Sequence, residues 1–315
     1  MSKPKKAAAP SVPENLTEGR VTASHGRHFA VTTEAGDVLE AHRRGKRSDV
    51  VIGDLVRCSP PVSGVAAIEE VLPRSSLLMR SDERREKPLA ANTDQVCVVF
   101  ASRPTFNVRF LWRAVIAADA AGLGVLLVRN KTDLAEGAAE AEKAAAFLES
   151  LGVPTLRISA EKAPQEARAA LVERLSGHRT LLVGQSGMGK STILNLLISH
   201  ARAKTQAFSE ALDLGRQTTT SSHWYEAKED GWQGAVIDSP GFQEFGLAHL
   251  SEGAVLRAMP DIARCVGGCR FFNCRHLHEP GCSVKKAVEE GRIDPERYAF
   301  YRSLLEELDA AAKSY

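Results

Sequence analysis

The stretch Gly184-Gln185-Ser186-Gly187-Met188-Gly189-Lys190-Ser191 limits what this chain can fold into more than any other. It reads G-x-x-x-x-G-K-S, a phosphate-binding P-loop. A short apolar run, Arg179–Val183, precedes it, and an apolar helical pattern from Thr192 to Leu197 follows. Strand, glycine loop and helix in that order make a backbone cradle. Glycines let consecutive N–H groups and a helix N-terminus point at one anion. Lys190 would reach the β- and γ-phosphates, and the Ser191 hydroxyl would take Mg²⁺. The nucleotide-binding stretch is expected to run through Thr192.

The base is set upstream. A strand-like run ending at Val128-Arg129 leads into Asn130-Lys131-Thr132-Asp133, an N-K-x-D motif. A carboxylate there accepts from both N1–H and the 2-amino group of guanine. Adenine would leave a buried Asp133 unpaired, and sites built on polar groups reject the wrong partner strongly for that reason. Ser159-Ala160 ends the next strand, as a second guanine loop would. Downstream, Gly215–Thr220 is polar and without apolar period; Thr219 is the threonine favoured for the magnesium shell. Asp238-Ser239-Pro240-Gly241 is a D-x-x-G motif, with Asp238 toward Mg²⁺ and Gly241 toward the γ-phosphate. Phe242 stands where many GTPases carry the glutamine that orients water, and an apolar side chain cannot do that. Gln217 is the remaining candidate within the chain. Base recognition precedes phosphate recognition, the reverse of the ordinary order. The chain therefore reads as a circularly permuted GTPase, since a sheet with neighbouring termini can be reopened elsewhere.

The flanks differ in pattern. Residues 1–15 read as a flexible basic tail, with no apolar segment that would make a secretory signal. Five short β-like runs lie between Gly19 and Arg80, which fits an OB-fold barrel over 16–83. Its loop His42-Arg43-Arg44-Gly45-Lys46-Arg47 offers Arg43, Arg44, Lys46 and Arg47 to an RNA backbone. Ser81–Pro88 reads as a charged linker. Strands and helices then alternate, as in a doubly wound α/β domain over 84–250. Cys58 and Cys97 sit in apolar runs and read as buried thiols. The other four of the six cysteines crowd between Cys265 and Cys282. Cys269, Cys274, His276 and Cys282 form a closed structural zinc set, with Cys265 and His278 as spares. Arg264, Arg270, Arg275, Lys285 and Lys286 surround it, as docking on RNA phosphates would require. Tyr298, Tyr301, Leu305 and Leu308 form a packing stripe on a last helix. The net charge of +2 argues for no partner by itself.

These parts together resemble the RsgA family of small-ribosomal-subunit-dependent GTPases. The likeness spans about residues 16–310. It implies a multidomain chain: an OB-fold barrel, a permuted P-loop GTPase domain, and a mainly helical zinc-binding domain over 251–315. It further implies GTP hydrolysis stimulated by the small subunit, a role in late maturation of that subunit through rRNA contacts, one structural zinc on Cys269, Cys274, His276 and Cys282, and Mg²⁺ with GTP. A cytoplasmic monomer is expected. The family often carries histidine where this chain has Gln217; glutamine can position water but cannot act as a titratable base. The competing readings are an RNA-binding protein using GTP mainly as a structural ligand, and a signalling GTPase with a protein partner.

Overall fold

The computed structural model describes residues 15–43, 49–82, 85–201, 222–239 and 245–313. The tail up to residue 14, the barrel-loop residues Arg44, Lys46 and Arg47, the 202–221 stretch with Gln217 and Thr219, and residues 240–244 with Gly241 and Phe242 lie outside the described residues.

Strands β1 (Thr17–His25), β2 (His28–Thr33), β3 (Val38–Arg43), β4 (Leu55–Cys58) and β5 (Val65–Val71) close on themselves. The order is β1-β2-β3-β5-β4, and β4 returns to pair with β1. Only the β3–β5 pair is parallel. Alternation fills the barrel with Val21, Phe29, Val31, Ala41, Val56, Cys58 and Ile68. Closure leaves no free edge among these strands.

The second unit is a sheet in the order β10-β9-β8-β11-β13-β12. Its members are β8 (Gln95–Ala101), β9 (Gly124–Asn130), β10 (Thr155–Arg157), β11 (Arg179–Val183), β12 (Ser222–Glu226) and β13 (Ala235–Asp238). All pairs are parallel except β12 with β13. Helices α1 (Val108–Ala120), α2 (Ala138–Ser150), α3 (Pro164–Leu175) and α4 (Lys190–Leu197) supply the crossovers. Asn107 caps α1, its side chain accepting from the Arg109 N–H at 2.9 Å. β8 and β11 are buried almost throughout, as strands covered on both faces must be. The P-loop strand β11 lies mid-sheet, while the strands carrying the base motifs precede it in the chain. That is a permuted connectivity. β12 pairs with β1 through Ala23–His223 and Ser24–Ser222, so barrel and α/β unit share one continuous sheet.

Residues 77–91 differ from the expected linker. β6 (Leu77–Asp82) and β7 (Arg85–Ala91) form a hairpin. Leu78, Ala90 and Ala91 are buried, and that apolar footing outweighs the charged composition. Pro88 is tolerated because the pairing slips by a residue beside it and the sheet has only two strands. Ser81 carries the hairpin onto the chain beyond the D-x-x-G motif: its N–H donates to the Gly246 carbonyl at 3.0 Å, and its hydroxyl accepts from the Ala248 N–H at 2.8 Å.

The C-terminal stretch holds helices α5 (Glu252–Arg257), α6 (Pro260–Ala263), α7 (Ser283–Glu289) and α8 (Pro295–Lys313). Met259, Ile262, Val284, Ala287, Phe300 and Leu305 join the same apolar core as the α/β sheet. Glu307 of α8 is held at both ends. It pairs with Arg113 of α1 at 2.6 Å and accepts the Leu247 N–H at 3.0 Å. Among the described residues, no helix is long and apolar enough to cross a membrane.

Candidate functional site

Parallel strands leave their carboxyl ends on one edge, where ligands of such sheets bind. Register fixes which motifs meet there. Val183 is level with Val98, Ala101 with Asn130, and Arg157 with Arg129. The P-loop, Asn130–Asp133 and Ser159-Ala160 therefore leave the sheet side by side. Leu182 pairs with Asp238, which puts the D-x-x-G carboxylate beside the start of the P-loop.

Asn130 is the joint. It is buried, and its amide donates to the Met188 carbonyl at 3.1 Å, while its oxygen accepts the Ala160 N–H at 3.1 Å. One side chain thus ties the P-loop to the Ser159-Ala160 loop. A Cβ on Gly189 would land on the Asn130 amide, and Gly189 also has φ +98°, so glycine is required twice over. Lys131, in the left-handed region at φ 58°, donates from Nζ to the Gly187 carbonyl at 2.7 Å and the Arg103 carbonyl at 3.1 Å. Gln185 accepts the Asn107 N–H at 2.8 Å. Sequence reasoning missed this outer brace of Arg103, Pro104 and Asn107; its one local signal is a proline three residues beyond strand β8.

Asp133 accepts a short hydrogen bond from the Ser159 hydroxyl. That bond, first among the causes, holds its carboxyl below the usual carboxylate range. Asp133 is exposed, contrary to the buried carboxylate assumed above. Ser186, Ser191 and Thr192 are exposed around the loop and the start of α4. Gly184 has no room for a Cβ, which would meet the Val99 carbonyl.

Lys190 donates from Nζ to the carbonyls of Gly184 at 2.5 Å and Gln185 at 3.1 Å. Burial lowers its pKa, and Asp238 partly offsets that. Burial likewise pushes the Asp238 carboxyl up to about 6, against the pull of Lys190. A half-desolvated lysine and carboxylate facing one loop suit a ligand bringing both phosphate and a divalent cation. Ser191 and Asp238 are hard oxygen donors of the kind Mg²⁺ takes, with phosphate oxygens completing the shell. When bound, the cation neutralises charge developing on the phosphoryl oxygens.

The cysteine cluster gathers as the spacing predicts. One ligand atom from each of Cys269, Cys274, His276 and Cys282 lies within 4.8 Å of the others. His276 Nδ1 is 3.4 Å from the Cys269 sulfur and 3.5 Å from that of Cys282. Burial, then the neighbouring Cys282 and Cys269 sulfurs, push the Cys274 thiol up to about 12. A dication taking thiolates directly would relieve that crowding, so the donor set fits a structural zinc. The spares turn elsewhere. Cys265 faces the Asp261 carbonyl and Arg292. His278 is not among the clustered ligands. Tyr298 of the α8 stripe donates to the His276 carbonyl at 2.6 Å, and Tyr301 to the Arg275 carbonyl at 3.3 Å.

Several expected RNA cations are engaged within the protein; Lys285 donates to the Glu279 carbonyl and Lys286 pairs with Glu290. Arg275 pairs with Glu252 at 2.6 Å and Asp309 at 2.8 Å. Arg43 donates to the carbonyls of Ile68 and Glu69 and pairs with Asp49 at 3.3 Å. Cys58 and Cys97 are buried thiols pushed up to about 11 and about 12 by desolvation, so they are unreactive.

A sequence profile of the RsgA GTPase family matches residues 71–248, more than half of the chain. The chain belongs to the RsgA GTPase family. It is a GTPase, a hydrolase acting on GTP. A relative from Paraburkholderia xenovorans, named small ribosomal subunit biogenesis GTPase RsgA, is 47% identical and aligns over 96% of both chains. The relative of the same name from Bordetella pertussis is 46% identical over 96% of this chain and 99% of its own. The crystal structure of YjeQ from Thermotoga maritima superposes with TM-score 0.65 at 26% identity, over 93% of this chain and 99% of that one. YloQ, described as a circularly permuted GTPase, shares the fold at TM-score 0.63 over 94% of this chain and 96% of that one.

Proposed function

We propose that this GTPase acts in late maturation of the small ribosomal subunit, and that the subunit stimulates its hydrolysis through rRNA contacts. The observation that carries the reading is end-to-end likeness, at 46–47% identity, to relatives named for small-subunit biogenesis. In this reading Lys190, Ser191, Asp238, Thr219 and Gly241 hold phosphate and Mg²⁺. Asn130–Asp133 and Ser159-Ala160 hold guanine, and Gln217 or the subunit orients the water. Slow intrinsic turnover follows from Phe242, which cannot polarise water. The barrel over 16–83, the GTPase domain over 84–250 and a zinc-binding domain over 251–315 act as three parts of a cytoplasmic monomer.

Two contacts favour coupling between nucleotide and flanks. Ser81 and Glu307 both grip residues 246–248, which begin five positions beyond the end of the D-x-x-G segment. The rRNA contact is favoured by Phe272, fully exposed between Cys269 and Cys274, and by Arg270 lying 5.5 Å over the Phe271 ring. An exposed aromatic beside a guanidinium suits stacking on an unpaired base. Co-sedimentation with small subunits tests this. Association is expected with a non-hydrolysable GTP analogue and lost with GDP, and weakened by Phe272→Ala at unchanged nucleotide affinity. Equal association in both nucleotide states would contradict it.

A further inference from the structure

We infer that the barrel carries a second, independent metal site, formed by His28, Glu40 and His42, for a divalent cation of the zinc class. The three residues lie on the outer face of the β2–β3 pair. Their neighbours Phe29, Val31 and Ala41 point into the barrel core, so alternation turns these three outward. Register brings them together. His28 is directly opposite His42, and Ala30 is opposite Glu40, two residues back along the same face. Ala30 presents only a methyl group there, which leaves Glu40 room to lean toward the histidine pair.

The side chains have already converged. The two imidazole rings are 4.4 Å apart at 70°, and a Glu40 oxygen is 3.6 Å from His28 Nδ1. One ligand atom from each of the three falls within 4.8 Å of the others. Bonds of about 2.0–2.1 Å in a tetrahedral site put ligands about 3.3 Å apart, so modest side-chain rotation closes the set. His28 Nδ1 is shielded from solvent and has no hydrogen-bond partner among the described residues; its distance to Glu40 is too long for one. His42 is oriented differently. Its Nδ1 lies 3.1 Å from the Arg27 carbonyl, and a carbonyl can only accept. The proton therefore sits on Nδ1, and Nε2 keeps the lone pair a cation requires. A backbone carbonyl fixing the tautomer of a ligating histidine is the usual second layer of a metal site.

Two imidazoles and one carboxylate select zinc and its neighbours over Mg²⁺ or Ca²⁺, which prefer all-oxygen shells. Three protein ligands leave a coordination position open. The site shares no ligand with the thiolate cluster, which lies in the C-terminal stretch. A bound cation would clip β2 to β3 at the end nearest Arg43.

The test uses the full chain with its thiolate cluster first filled by one equivalent of zinc. Calorimetry and native mass spectrometry are expected to show a second equivalent binding at pH 7.5. The His28→Ala/His42→Ala double variant is expected to lose that equivalent while keeping the first, with unchanged circular dichroism and nucleotide affinity. Cobalt(II) gives an independent readout. The second equivalent should add no thiolate charge-transfer absorption, and should shift the side-chain nitrogen resonances of His28 and His42. A single equivalent in the unaltered chain, or a second one that survives the double variant, overturns the inference.

Discussion

The side chain of Asn130 bridges the Met188 carbonyl and the Ala160 N–H, at 3.1 Å each, from a buried position between three loops. Truncation to alanine leaves both backbone groups without their partner, each at a cost of about 1–3 kcal/mol. Asn130→Ala should therefore weaken GTP and GDP alike, by roughly thirtyfold or more. Titration with a fluorescent guanine nucleotide checks this. A loss confined to GTP would place the role of Asn130 in the chemistry instead.

In the proposed function Asp133 supplies the base preference. Its exposed carboxylate is set by Ser159 and not by packing, so Asp133→Asn should leave folding unaffected. The GTP-over-ATP affinity ratio should collapse by about two orders of magnitude, since a matched polar pair to the base is lost. Competition binding with both nucleotides measures it; an unchanged ratio removes Asp133 from guanine recognition.

Magnesium-dependent binding should depend on acid. Asp238 titrates at about 6 because burial disfavours its charge. In the proposed function the cation needs this carboxylate, so Mg²⁺-supported GTP affinity should rise as pH goes from 5 to 7 and level off above. The direction for folding alone is opposite. A raised pKa means the neutral acid stabilises the fold below about 4, and that contribution is lost as pH rises through about 6. Affinity measured across this range should flatten in Asp238→Asn.

The junction between barrel and GTPase sheet should loosen in acid. His223 lies buried on β12 opposite Ala23 of β1, and burial, then the charge of His25, lowers its pKa to about 4. Unfolded histidine titrates near 6.5. The stability it contributes is present above pH 6.5 and lost as pH falls through 4, amounting to roughly 3 kcal/mol. Urea unfolding at pH 7 and pH 4 should show it, with His223→Leu reducing the difference.

Metal removal should act locally. With a structural zinc on Cys269, Cys274, His276 and Cys282, as proposed, chelation should raise amide exchange from about Met259 through α8. Nucleotide affinity should hold within a few fold, because none of the Asn130, Lys190 or Asp238 contacts passes through that stretch.

Much of this site was legible because its chemistry is local. A P-loop, an N-K-x-D turn and a Cys-x4-Cys-x-His spacing each specify backbone and donors within a few residues. Which groups Asn130 joins was not legible, since that depends on the register of β8, β9, β10 and β11 together. The 81–88 stretch read as a linker because charge dominates it, whereas three buried apolar residues decide its fold. Arg275 read as an RNA cation because Glu252 and Asp309, which neutralise it, are remote in sequence. Asp133, expected to be buried, is exposed, because its side chain is held by Ser159 at the end of the strands and not packed in the core.

The most direct measurement of the central claim is GTP turnover by the purified chain, titrated separately with small and large ribosomal subunits. Slow turnover alone, strong saturable stimulation by small subunits and none by large ones are expected. Fast turnover without subunits, or equal stimulation by both, would contradict it.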